Sequence, residues 1–294
     1  MIHARSGTHS MRATMWFTLL AVAACHHPAR ERPRPIPSSA VETTGAIAEA
    51  LLSAHDFTWR SFATTHFRIH LANGMNPARI DVIADSVENA RRIVLALLDE
   101  PDIDGEEPVE LFLVETRDDM RRLIGDPVTG NGYPSELTAV LVAGDGYRAF
   151  YRHMLTHTYA AHRWGRRRSG SWLDEGLATR ATGTCQGHAI DAIAAGYARG
   201  RGEDAPSLTL LASPAFDTLP ELPAYYTAAS LVDFFQHREG TAAVRALWRG
   251  EALEVTPATP LGSATTTIFS AWRRHLATVT PATLDEPWLR QDGC

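Results

Sequence analysis

The chain has 294 residues, 45% hydrophobic and 21% charged, enough for one large domain or two small ones around a real core. Its net charge of −6 argues against a nucleic-acid partner, which calls for a basic footprint. All 28 basic residues are arginine, scattered along the chain without forming a patch.

At the N-terminus, Arg12 precedes an apolar run from Met15 to Ala24, which ends at Cys25. That run is too short to span a bilayer, which needs about 20 apolar residues. It suits the apolar region of an export signal followed by small residues at a cleavage site. Val22-Ala23-Ala24-Cys25 looks like a bacterial lipobox. The expectation is therefore a signal peptide over residues 1–24 and a lipidated Cys25 holding an exported chain in the cell envelope, on the periplasmic side of the outer membrane. An ordinary signal peptide cut near Ala24 is the alternative. Residues 25–45 carry Pro28, Pro33, Pro35 and Pro37 among arginines and read as an extended tether before a domain over 46–294. His26 and His27 in that tether could pick up metal adventitiously. An oxidising compartment would permit a bridge between Cys185 and Cys294, and the sequence leaves open whether they meet.

Helical periodicity runs from about Val41 through Leu51 and Leu52. Phe67–Leu71 alternates large and polar residues and predicts a strand. Asn76-Pro77 opens a helix whose apolar residues recur at three and four from Ile80 to about Leu98. Pro108–Val114 is a second strand, a short helix follows around Asp118–Leu123, and Leu137–Val142 is a third strand. Gly144-Asp145-Gly146 breaks the chain, with Asp145 placed to cap the next helix. Beyond Glu175 the pattern is helical, over about 171–183, 187–199, 225–237, 240–249 and 265–277. The fold class is thus α+β: a small strand-and-helix part, then a mostly helical part.

The junction of the two parts holds the chemistry. His153-Met154-Leu155-Thr156-His157 puts two imidazoles one turn apart on one helix face, within reach of one metal ion. Trp172-Leu173-Asp174-Glu175-Gly176-Leu177-Ala178 opens the following helix. The pair of segments resembles the gluzincin metallopeptidases, specifically the peptidase-MA-like group, whose usual signature is H-E-L-x-H followed by W-L-x-E-G-L-A. The resemblance covers roughly residues 60–250 and is specific only over 150–183. It implies a zincin-like fold with zinc on His153, His157 and Glu175, and a peptide or protein ligand. Such a site takes three protein ligands and leaves a fourth position open.

Two positions depart from that pattern. The general base of H-E-x-x-H is replaced by Met154, a thioether that cannot take a proton from water. Loss of a general base typically costs about 10²–10⁴-fold in rate. Where many gluzincins carry an aspartate that orients a ligand histidine, this chain has Thr179. Asp174 could stand in as a base, although its neighbour is a ligand and it is expected to point elsewhere. Tyr225, and less well Tyr226, align with a tyrosine that donates to a developing oxyanion in the family; two tyrosines packed at a helix start is the plainer alternative. Arg166-Arg167-Arg168 reads as a solvated connector, and His162 and His188 as surface histidines. The expected function is a membrane-anchored gluzincin-like domain, catalytically impaired, that binds a peptide or an envelope partner. An active hydrolase with an unusual base is the alternative.

Overall fold

The computed structural model describes residues 32–41, 43, 45–200, 208–251 and 262–285, all within one compact unit. The signal segment, Cys25, His26, His27 and Cys294 lie outside the described residues. Cys185 is buried and disulfide-bonded.

The architecture is α+β. In chain order the N-terminal part contains β1 (Arg34–Ile36), α1 (Ala46–Leu52), β2 (Trp59–Ala63), β3 (Phe67–Ala72), α2 (Ile80–Leu98), β4 (Val109–Val114), α3 (Arg117–Ile124), β5 (Gly130–Tyr133) and β6 (Thr138–Val142). The helical part follows as α4 (Tyr151–Trp164), α5 (Ser171–Thr182), the short hairpin β7 (Thr184–Cys185) and β8 (His188–Ala189), α6 (Ile190–Gly200), α7 (Leu208–Leu211), α8 (Glu221–Glu239), α9 (Thr241–Trp248) and α10 (Gly262–Thr278). One six-stranded sheet has the order β1-β2-β3-β4-β6-β5. The β3–β4 and β4–β6 pairs are parallel, and the other pairs are antiparallel.

The parallel centre explains the apolar runs. Every residue of β4 and β6 is buried, as expected of strands covered on both faces. Leu111 and Leu113 face a cluster shared with α2, α4, α5 and α8. Phe112 and Val114 face the opposite cluster, beneath α1 and α3. The alternation of β3 follows the same rule, with Phe67, Ile69 and Leu71 on the first face.

The strands and helices expected from periodicity are present with ends shifted by a few residues. Three strands of the six-stranded sheet had no such signal, nor did the hairpin β7–β8, whose second strand opens the stretch expected to be helical from 187. β1 lies inside the stretch read as a tether, where Arg34-Pro35-Ile36 pairs with β2 at the sheet edge, a position where proline is tolerated. β2 and β5 were also unforeseen. Asp145 does not cap α4: that helix begins after Phe150 with no side-chain cap, and Asp145 instead pairs with Arg79 at 2.9 Å. The Gly144–Gly146 break leaves four further residues before the helix, too far for an N-cap bond.

Candidate metal centre

α4 buries Leu155, Tyr159 and Ala160 in the core and keeps His153 and His157 on its half-buried side. A connector then returns the chain so that α5 packs on α4 and α8. Asp174 and Glu175 stand at the start of α5, anchored by Trp172 and Leu173, which are 2% and 0% exposed. Gly176 follows because α8 crosses here: a Cβ added to it would lie 2.8 Å from Val232 Cγ2 and 2.9 Å from the Ala228 carbonyl oxygen.

Three atoms converge. His153 Nε2 and His157 Nε2 are 3.1 Å apart, and Glu175 Oε2 lies 3.4 Å from the first and 3.6 Å from the second. Tetrahedral zinc with bonds of about 2.0–2.1 Å spaces its ligand atoms about 3.3–3.4 Å apart. The triangle therefore fits such an ion. A second observation points the same way: Glu175 Oε2 is hidden from solvent with no hydrogen-bond donor, a costly state for a carboxylate oxygen unless a cation faces it. Among the described residues this is the one group of three such side chains arranged to hold a metal.

Behind the trio lies a relay that corrects two expectations. Asp174 does not point elsewhere; its Oδ1 is 2.6 Å from His157 Nδ1. Arg167 is not simply solvated; its Nη1 donates to Asp174 Oδ2 at 2.9 Å. Burial pushes the Asp174 carboxyl upward, but His157 and Arg167 outweigh it and hold it below the ordinary carboxylate value. An ionised Asp174 only accepts, so His157 Nδ1 carries the proton and Nε2 presents its lone pair to the trio. The orienting carboxylate thus stands one residue before Glu175. Thr179 does not serve, its hydroxyl being buried without a partner. Burial likewise opposes charge on His157, yet Asp174 and Glu175 raise its pKa overall. Glu175 is held low: burial works against its charge, but His153 and His157 prevail.

Met154 is 6% exposed and points at the edge strand β5. A Cβ on Gly130 would meet its sulfur at 2.9 Å, and one on Gly132 would meet its Cε at 3.1 Å. The thioether fills the space between α4 and two glycines cut back to receive it. Tyr225 stacks on His153 with ring centroids 6.3 Å apart, and on Phe216 at 6.0 Å. Burial first, then the Glu175 carboxylate, raises its pKa, which keeps the phenol a donor. Tyr226 is 3% exposed and packs with Ile190 and Ile193. His162 pairs with Glu106 at 3.3 Å and His188 is exposed, so neither joins the trio.

The trio, Met154 and Tyr225 line a cavity of about 800 Å³ whose far wall includes Gly130, Asn131 and Gly132 of β5. β5 has β6 on one side only and forms the edge of the sheet. The sequence signal for Asp174 was present but misassigned, because the orienting group was sought at the usual offset. No family model matches the chain, and no curated protein matches its sequence.

Proposed function

We propose that the chain is a zincin-like domain of gluzincin type that holds zinc on His153, His157 and Glu175 and binds an extended peptide without cleaving it efficiently. The supporting observation is the buried Glu175 Oε2 standing 3.4 and 3.6 Å from two imidazole nitrogens, with the Asp174–Arg167 relay behind them. A metal ion held there supplies Lewis acidity to a carbonyl lying in the cleft. The chain's own groups support recognition more than turnover. The free edge of β5 offers main-chain hydrogen bonds to a peptide strand. Tyr225 presents a phenol beside the trio. Met154 offers no proton acceptor, and Asp174 is already committed to His157 and Arg167, which removes it as a substitute base.

Lipidation at Cys25, export and an outer-membrane location complete the proposal and rest on the N-terminal sequence. No helix among the described residues is long and apolar enough to cross a membrane.

Metal analysis and a peptidase assay test the reading together. About one zinc per chain is expected, lost in His157→Ala, with negligible cleavage by the parent protein. Met154→Glu is expected to confer cleavage, since a positioned base contributes about 10²–10⁴-fold. Strong cleavage by the parent that disappears in Glu175→Ala would establish the active-hydrolase alternative. Absence of metal after zinc loading would end both.

A further inference from the structure

The cleft continues beyond β5. A second recess of about 470 Å³ adjoins it, lined by Thr116, Arg117, Asp118, Arg121, Pro127 and Tyr147. Arg117 and Pro127 line both spaces. Arg117 therefore stands where the two meet.

Its partners set it apart from the other arginines of α3. Arg121 is paired with Asp118 at 2.8 Å, and Arg122 is paired with Asp119. Arg117 makes no ion pair among the described residues, and its Nε is hidden from solvent with no hydrogen-bond partner. Asp126 lines the same cavity without bonding to it. A guanidinium fork with a buried, unused N–H at a cavity junction is built to receive a planar anion, and a carboxylate is the geometric match.

The direction of β5 says which part of a guest carries that anion. β5 runs from Gly130 to Tyr133. Pro127, three residues before its start, lines both spaces together with Arg117. A peptide added antiparallel to β5 brings its C-terminal portion to the start of the strand. A parallel guest would bring its ammonium end to an arginine, which like charge disfavours. We propose that Arg117 anchors an anion subsite that takes a carboxylate from the C-terminal side of the bound peptide. The inference rests on the peptide-binding reading above and adds the chemistry of the ligand.

The carboxylate comes either from an acidic side chain or from the chain terminus, and three labelled random peptide pools separate the sources. One pool has a free C-terminus and no acidic residue. A second is amidated and carries one glutamate near its C-terminal end. A third is amidated and neutral. Fluorescence polarisation against the zinc-loaded full chain reads their affinities. One carboxylate pool is expected to bind about tenfold tighter than the neutral pool, the usual worth of a charge-assisted hydrogen bond. In Arg117→Ala that preference is expected to vanish, while zinc content and affinity for the neutral pool stay the same. Arg117→Glu is expected to reverse the preference toward an amidated pool carrying arginine at that end. Equal binding of all three pools by the parent chain would overturn the subsite and leave peptide binding standing. A preference that survives in Arg117→Ala would overturn it too. If no pool binds at all, the peptide reading and the subsite fall together.

Discussion

At the scale of single residues, the centre is defined by which side chains are committed and which are not. His157 has its Nδ1 proton fixed by Asp174, and Asp174 is held in turn by Arg167. Such outer partners typically change metal affinity by about 10–100-fold when removed. Asp174→Asn is therefore expected to weaken zinc binding by about that factor. The amide can offer its NH₂ to Nδ1, which moves the ring proton to Nε2, the atom that must stay bare. Arg167→Ala is expected to weaken it less, since Asp174 remains ionised beside His157. Competition with a chromophoric chelator measures both, and an Asp174→Asn protein that binds zinc as tightly as its parent would show the relay to be structural only. Met154 is the opposite case: it is nearly buried and packed on Gly130 and Gly132. A glutamate placed there meets the cost of burying a charge, so Met154→Glu is expected to be less stable by about 1–3 kcal/mol while gaining a base.

Among the elements, the crossing of α5 and α8 matters most for the site. Arg180 of α5 binds Asp233 and Gln236 of α8, and Gly176 allows the backbones to touch. Gly176→Ala forces a methyl against the Ala228 carbonyl, an overpacking expected to cost about 1–3 kcal/mol. Because the next residue toward the N-terminus is Glu175, the same change is expected to lower zinc affinity, which separates it from a remote destabilising substitution. α3 is held at its start by a capping box between Thr116 and Asp119. Burial raises the Asp119 pKa, but Arg122 and Thr116 bring it below the ordinary 3.8. A folded-state pKa below the unfolded one means the contribution is present above about pH 4 and fades as pH falls through the lowered value. Thr116→Ala is expected to cost about 1 kcal/mol near neutrality and less in acid, measurable by urea titration at several pH values. These elements also show what the sequence made legible. β4, β6 and the long helices carry strong apolar patterns, so tertiary burial and local signal agree. β5 is four residues, two of them glycine, and its strand character comes from pairing with β6 and from Met154 against its face. No local period encodes that. The trio was readable because two of its members lie one turn apart and the third sits in a distinctive segment. Arg117 and Arg167 were not, since their meaning depends on which partners the fold brings or withholds.

Across the whole molecule, the sheet separates two polar constellations of different kinds. On the face away from the trio, Ser61 Oγ lies 2.8 Å from His70 Nδ1, and His70 Nε2 lies 2.7 Å from Glu110 Oε2. The order of groups is that of a nucleophile, base and acid. Yet His70 and Glu110 are 0% exposed, and Phe112 stacks on the imidazole at 4.4 Å, so no substrate reaches them. They tie β2, β3 and β4 together, and Ser61→Ala is expected to cost about 0.5–1.5 kcal/mol without touching zinc or peptide binding. The trio joins α4 to α5 from outside the sheet, and on the proposed reading its contribution to stability depends on a bound ion. A ligand at a hundred times its dissociation constant stabilises the folded state by about 2.7 kcal/mol. For a chain of this size that corresponds to a melting shift of roughly 4–5 °C. Zinc addition to chelator-treated protein is expected to produce that rise in calorimetry. The rise should be abolished in His157→Ala and preserved in Ser61→Ala, whose baseline is lower for an unrelated reason. Equal zinc-induced shifts in parent and His157→Ala would place the stabilising ion elsewhere in the chain.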